Sequence, residues 1–326
     1  MSSQADDEIR IGVSSCLLGE RVRYDGGHCK DHFLTDILGD HVTFVRVCPE
    51  MEIGLPSPRE SLRLVEDGSA PPRLIGRKSG DDHAPAMRRF SARKVKELET
   101  LALCGYVLKK DSPSCGLERV RVYAASAGTT GAGSASRAGR GVFAAALCAA
   151  FPSLPIEEEG RLCDPVLREN FLVRVFAYRR LRDAFAQPWK QRDLVDLHAR
   201  EKLLLLAHEP EGYQRLGRFV ARNDGARRER ASAYVQQFMA SLAKKATRGR
   251  HVNVFEHMLG YFSERLSPAD RREVLETLAD YKRALVPWLV PATLVRHYVR
   301  VFEIEYLARQ SYLQPHPKEL LLRNHV

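Results

Sequence analysis

Several things are missing from this chain of 326 residues. No apolar run approaches the roughly 20 residues that a membrane-crossing helix needs, so nothing in it points to a bilayer. The opening stretch, MSSQADDEIR, is acidic and polar and has none of the basic-then-apolar layout of a secretory leader; the cytoplasm is the expected compartment. The cysteines number seven, an odd count in a chain too large to need covalent staples, and a disulfide framework is a poor explanation for them. None of them forms a Cys-x-x-Cys pair, so the common knuckle of a structural zinc site is absent too. There is no internal repeat.

What remains is ordinary in bulk and uneven in distribution. Apolar residues make up 44% and charged residues 28%, values of a globular protein long enough for two separate cores. The net charge is +10. Up to residue 186 there are 27 Lys+Arg against 25 Asp+Glu, and beyond it 24 against 16, so the second part carries +8. Residues 215–250 alone hold ten basic and two acidic side chains, which accounts for that surplus. Such a cluster attracts polyanions, of which nucleic acid is the commonest large one. A solvated helix face would give the same count.

The first part alternates. Apolar, β-branched runs at 9–15, 42–47, 106–110 and 119–125 read as strands, with a further strand over LPIEEEGRL. Helical patterns fall between them at 32–38, 87–104 and 141–151, and another helix runs from 165 to about 185. Alternation of this kind predicts an α/β fold with a Rossmann-like parallel sheet. The Gly/Ser-rich stretch GTTGAGSASRAGRG (128–141) is expected to be a mobile loop, and AQPWKQRD a linker. Beyond it helical periodicity dominates, so the expected domains are 1–186, α/β, and 187–326, an all-α helical bundle.

Three cysteines stand at strand ends. Cys16 closes the first strand in VSSCLLG, Cys48 the second in VRVCPEM, and Cys115 lies in the turn KKDSPSCG after the third. All carboxyl ends of a parallel sheet share one edge, where open α/β folds bind ligands, so these thiols are expected to converge. Three thiolates suit a tetrahedral metal or an iron–sulfur cluster, and a single strand-end cysteine could also be a lone nucleophile. Cys104 and Cys148 lie in apolar helical patterns and Cys29 and Cys163 near polar turns, where packing is the expected role.

The motifs SSCLLG, VRYDGG, VCPEMEIGLPSPRE, DSPSCG and EEEGRLCDPVLRENF resemble the thiouracil desulfurase family, of the TudS type, over nearly the whole first domain. The second domain resembles the YbgA-like domain through LVDLHAREKLLLLAHEPEGYQRLGRFVA, HVNVFEHMLGYF and LQPHPKELLLRN. Joined in this order, the two are similar to the tRNA 4-thiouridine desulfidases of the RudS type. The resemblance implies a 4Fe-4S cluster on three cysteines, which carry over to Cys16, Cys48 and Cys115, with the fourth iron open. It also implies catalytic groups at Glu50 and Ser112. Glu50, beside a cluster ligand, is the expected base for an attacking water, and Ser112 the residue that hydrogen-bonds or positions it, with Ser114 the weaker candidate. Ser112 before a proline is equally a turn cap.

The partner implied is tRNA containing 4-thiouridine, with no membrane; the sequence leaves the oligomeric state open, a monomer being the default. Its phosphates are expected to meet Arg218, Arg222, Arg227, Arg228, Lys244, Lys245, Arg248 and Arg250. Two other readings keep parts of this: a desulfidase of free thiouracil or thionucleotides, and an iron–sulfur sensor that binds nucleic acid without turnover. Arg23, Tyr24 and Asp25 are candidates for lining the pocket, although Asp25-Gly26 reads as well as a turn. Glu157 to Arg161 suit structural ion pairing, and no catalytic role is expected of them.

Overall fold

Short runs rich in Val, Ile, Tyr and Phe, each followed by a polar turn, form the strands that carry the predicted site. The computed structural model describes residues 8–66, 68, 71–125, 135–320 and 322. The first unit runs β1 (Arg10–Ser14), β2 (Thr43–Val47), the single-turn α1 (Pro49–Glu52), β3 (Leu62–Glu66), β4 (Arg73–Gly76), α2 (Ala84–Thr100), β5 (Gly105–Leu108), β6 (Val120–Ala124), β7 (Ala135–Gly139), α3 (Val142–Ala150) and β8 (Ile156–Glu158). The chain divides between Cys163 and Asp164 into two compact units.

One sheet has the order β2-β1-β5-β8, every pair parallel. The chain steps from β1 to β2 on one side and later returns to β5 on the other, so the order reverses at β1. A crevice opens beyond the strand ends at such a point. Ile11, Val13, Val47, Val107 and Leu108 are buried, as strands covered on both faces require. Phe143 of α3 packs against Tyr106 of β5 and Phe90 of α2 at ring separations of 6.1 and 6.0 Å. Tyr106 lies opposite Gly12 of β1, where a Cβ would come within 2.1 Å of the ring; only glycine leaves that space.

A second sheet, β4-β3-β6-β7, was not expected. In it β3 pairs antiparallel with β4 and parallel with β6, and β6 pairs antiparallel with β7. The predicted strand at 119–125 therefore belongs here and not to the parallel sheet. Residues 135–139 of the expected loop form β7, recruited by pairing with β6 and without an apolar pattern of their own; 128–134 lie outside the described residues. The expected helix at 32–38 is a wide turn, Phe33–Ile37, running into a tighter one, Leu38–Asp40.

The second unit is helical: α4 (Pro165–Ala186), α5 (Gln191–His208), α6 (Pro210–Ala221), α7 (Arg227–Ala243), α8 (Arg248–Leu259), α9 (Pro268–Lys282), α10 (Leu289–Val301) and the single turn α11 (Glu305–Ala308). Its boundary corrects the expected one at 186. Helix α4 gives Val173, Ala177 and Leu181 to the same core as Leu204, Phe238 and Phe255, and an apolar stripe alone cannot say which unit it faces. Trp189 of the expected linker is buried in that core, and Lys190 and Asp193 cap α5 (Lys190 N–H to Asp193 Oδ2, 2.7 Å). AQPWKQRD is thus an interhelical turn. Asp164 caps α4 by accepting from the Val166 and Leu167 amides, with Pro165 at the first helical position. Among the described residues no helix is long and apolar enough to cross a membrane.

Candidate active site

The three predicted cysteines line one crevice of about 630 Å³ at the carboxyl edge of the parallel sheet. Cys16 stands in the tight turn Ser15–Leu18 after β1; its carbonyl accepts from the Cys29 amide at 2.9 Å, which ties the following loop back to the strand end. Cys48 follows β2 and precedes α1, whose Pro49 starts the turn. Cys115 sits at the end of the Ser-Pro-Ser turn after β5. Cys16 and Cys115 are buried and Cys48 is half-buried. Burial pushes the Cys16 thiol up to about 12, the neighbouring Cys29 and Cys48 adding to it. Burial likewise raises Cys48 and, with Glu50 beside it, raises Cys115 well above the usual thiol range. Burial of this kind disfavours the free thiolate in the absence of a bound cation. Among the described residues no three His, Cys, Asp or Glu side chains close on a point that would hold one metal ion. Cys16, Cys48 and Cys115 nevertheless line the same crevice.

The loop carrying Cys115 is pinned from three sides. The Ser14 hydroxyl accepts from the Lys109 amide (3.0 Å), and Glu159 accepts from the Lys110 amide (2.8 Å) and the Lys109 ammonium (2.5 Å). Glu158 takes the Leu117 amide at 2.7 Å. The first amides of α3 point at the turn: Val142 donates to the Pro113 carbonyl (3.1 Å) and Phe143 to that of Ser114 (3.0 Å). A Cβ on Gly141 would lie 2.4 Å from the Ser114 carbonyl oxygen, so glycine there permits the close approach. Glu158 and Glu159, given no catalytic role from sequence, hold the cysteine loop. Arg161 pairs with Glu157 at 2.7 Å, the structural pairing expected.

Glu50, on α1, points into the crevice with both oxygens held. Oε1 accepts from the Ser114 hydroxyl at 2.8 Å, and Oε2 is paired with the Arg59 guanidinium, whose Nε donates at 3.0 Å. Arg59 is itself fixed by the carbonyls of Val22 (3.0 Å) and Pro56 (3.1 Å). The expected order of the two serines is reversed. Ser112 caps the turn, its hydroxyl accepting from the Ser114 (3.2 Å) and Cys115 (3.1 Å) amides, while buried Ser114 makes the bond to Glu50. Ser112 still lines the crevice, and its own hydroxyl hydrogen is left to donate. Neither Arg59 nor Ser114 had a local signal beyond lying in PSPRE and DSPSCG.

The second sheet supplies the opposite wall: Arg63, Arg77 and Arg121 with Tyr123, joined by Arg23, Tyr24 and Lys110. Arg23 lies over the Tyr24 ring at 5.4 Å and Arg63 over Tyr123 at 5.8 Å. Arg23 and Tyr24 thus line the crevice as anticipated, while Asp25 accepts from the Gly27 amide (3.0 Å) in the alternative turn role. Of the other cysteines, Cys104 is buried and Cys148 half-buried. Cys29 lies beside Cys16 without lining the crevice, and Cys163 is exposed.

In the helical unit the eight predicted cations fall into two groups. Arg218, Arg222, Arg227 and Arg228 gather where α6 passes into α7, and Lys244, Lys245, Arg248 and Arg250 where α7 passes into α8. Helix α7 has 17 residues and keeps the groups about 25 Å apart. Lys244 pairs with Glu209, and Arg250 donates to the His208 carbonyl at 2.6 Å. The other six meet no carboxylate among the described residues.

Comparisons with known proteins match the two parts of the chain separately. The 2-thiouracil desulfurase family matches residues 11–159, and the family DUF1722, of unknown function, matches residues 202–317. The chain is 31% identical over 110 residues to the uncharacterized protein YbbK of Bacillus subtilis (strain 168), covering 32% of this chain and 72% of that protein. It is 29% identical over 160 residues to the uncharacterized protein YbgA of Escherichia coli (strain K12), covering 48% of this chain and 94% of that one. A solved structure of the 4Fe-4S-dependent thiouracil desulfidase TudS is 28% identical, with 48% of this chain and 95% of that chain covered and a TM-score of 0.39. With the three strand-end cysteines in the matched part and the helical unit in the other, this chain belongs to the 2-thiouracil desulfurase family through its N-terminal unit and carries a YbgA-like domain behind it.

Proposed function

We infer that the N-terminal unit is an iron–sulfur-dependent desulfidase of thiolated uracil, and that its substrate is 4-thiouridine in tRNA, converted to uridine with release of hydrosulfide. The observation that carries the reading is the meeting of Cys16, Cys48, Cys115 and Glu50 in one crevice at the carboxyl edge of the sheet. The donor set fits a 4Fe-4S cluster held by the three cysteines, with one iron left without a protein ligand. When bound, such a cluster supplies a soft Lewis acid for a thiocarbonyl sulfur.

The chain's own residues do the rest. Glu50 takes a proton from the water that attacks the ring carbon, and Ser114 and Arg59 keep that carboxylate aimed. The Ser112 hydroxyl offers a hydrogen to the bound base. Water oxygen replaces sulfur on carbon, the sulfur leaves as hydrosulfide, and no electrons are gained or lost overall. Arg23, Arg63, Arg77, Lys110 and Arg121 favour a substrate bearing phosphates, since a neutral base needs no such lining and fills only part of 630 Å³. The uncompensated cations of the helical unit favour a polynucleotide.

The test is hydrosulfide release by anaerobically purified protein from thiolated tRNA, from 4-thiouridine monophosphate and from free 4-thiouracil. The reading expects kcat/KM at least ten-fold higher on tRNA than on the free base. Preference for the monophosphate would move the substrate to a free nucleotide, which the cationic wall also suits. Silence on all three would remove the desulfidase reading.

A further inference from the structure

The helical unit holds a second cavity, of about 260 Å³, that desulfidation does not use. It opens where the α7–α8 turn meets the end of α5 and the start of α4. Arg248, Lys245, His208, His251, Tyr281 and Trp288 line it.

Arg248 is the informative residue. Its Nη1 is shut off from solvent and has no hydrogen-bond partner, and its guanidinium meets no carboxylate among the described residues. Its recorded contact is with the face of Tyr281, at 5.8 Å. Arg248 as a whole is half-buried, but a guanidinium N–H shut off from solvent with nothing to bind carries a cost, which an anion arriving from the cavity would relieve. Arg248 is also the first residue of α8, a helix of 12 residues whose opening amides favour negative charge. Lys245, exposed at the rim, meets no carboxylate among the described residues. The single acid in the lining, Glu169, does not stand free.

Three rings of the lining, His208, His251 and Trp288, are held by hydrogen bonds. The His208 Nδ1–H donates to the Lys244 carbonyl at 2.7 Å, and His251 Nδ1 shares a 2.7 Å hydrogen bond with the Tyr312 hydroxyl. The Trp288 indole N–H donates to that same hydroxyl at 3.0 Å, which fixes the ring. Cations beside ordered aromatic rings match a ligand with one anionic end and one planar end. The volume lies just under the range of about 300–1,000 Å³ for sites taking drug-sized ligands, enough for one nucleotide and too small for a dinucleotide cofactor.

We propose that this cavity binds a single nucleoside phosphate, with the phosphate on Arg248, Lys245 and the α8 N-terminus and the base against Tyr281 and Trp288. The ligand is either a free nucleotide or one nucleotide of an RNA strand. The site belongs to the helical unit alone and stands apart from the desulfidase reading, because its test needs no cluster.

Trp288 is one of only two tryptophans, so its fluorescence reports occupancy. Full-length protein is titrated with uridine monophosphate, uridine, inorganic phosphate and a single-stranded oligouridylate. Saturable quenching by the monophosphate or the oligonucleotide is expected, at least ten-fold tighter than by uridine or phosphate. Arg248→Met should weaken it ten-fold or more, and Lys245→Ala, at an exposed position, about three-fold. A response to the monophosphate assigns a free nucleotide, and a response to the oligonucleotide alone assigns a strand. Equal affinity for inorganic phosphate, no saturable response, or indifference to both substitutions would overturn the proposal. Circular dichroism of Arg248→Met confirms that lost binding is not lost folding, and should that variant unfold, Lys245→Ala decides.

Discussion

Ser114 and Ser112, two residues apart, are predicted to fail differently. Removing the Ser114 hydroxyl leaves Glu50 Oε1 without its buried donor while the turn keeps its cap. Ser114→Ala should lower kcat about ten-fold with cluster absorbance retained, and Glu50→Gln by a factor of about 10² to 10⁴. Ser112→Ala removes the acceptor of two amides and should cost about 1 kcal/mol of stability as well as activity, read from thermal melts beside turnover. If Ser114→Ala turns over normally, the Glu50 contact is structural only. His198 carries a separate, pH-dependent prediction. Burial lowers it to about 4, against about 6.5 in an unfolded chain. Between those values the unfolded chain holds a proton that the folded one refuses. Stability is therefore full above pH 6.5 and declines as pH falls toward 4, by about 3 kcal/mol in all. The fall of Tm across that window should be shallower in His198→Gln than in the parent chain; parallel curves would assign the acid loss to other groups.

Elements decide whether those side chains meet at all. Helix α3 is the support of the cysteine loop, because its first amides hold the Pro113 and Ser114 carbonyls and Gly141 lets them approach. Gly141→Ala pushes a methyl into the Ser114 carbonyl and should cost about 1–3 kcal/mol, together with iron content measured after anaerobic reconstitution. Full iron loading at unchanged Tm would show that the loop can yield. The parallel sheet was legible because β1, β2 and β5 are apolar runs each followed by a cysteine, in β5 after a polar turn, and that position beyond the strand end says which edge the thiols share. The second sheet was not legible. Its β3 and β4 are five and four residues long, and β7, ASRAG, is a strand only through its hydrogen bonds to β6. The cationic wall went unseen with it, since Arg63, Arg77 and Arg121 stand in no common motif. The Glu50–Ser114 contact was hidden for a related reason: whether Ser112 or Ser114 turns inward depends on the backbone of the turn, and both fit the same letters.

For the molecule as a whole, the cations at the α6–α7 turn, which meet no carboxylate among the described residues, predict a salt-dependent affinity for tRNA on the proposed reading. Reversing Arg227 and Arg228 to Glu should weaken binding and reduce the slope of log K against log salt by about 1 to 2, each lost phosphate contact removing a little under one unit. Turnover of a free thiobase should be unaffected; equal losses on both substrates would place the arginines elsewhere in the work of the enzyme. The spacing of the cysteines has one more consequence. Cys16, Cys48 and Cys115 lie at the ends of three different strands, so their sulfurs are brought together by the finished sheet and by no shorter piece of chain. On the proposed three-cysteine ligation, iron would have to arrive after those strands have paired, and would then act as a three-way tether across the carboxyl edge, resisting the separation of β2, β1 and β5.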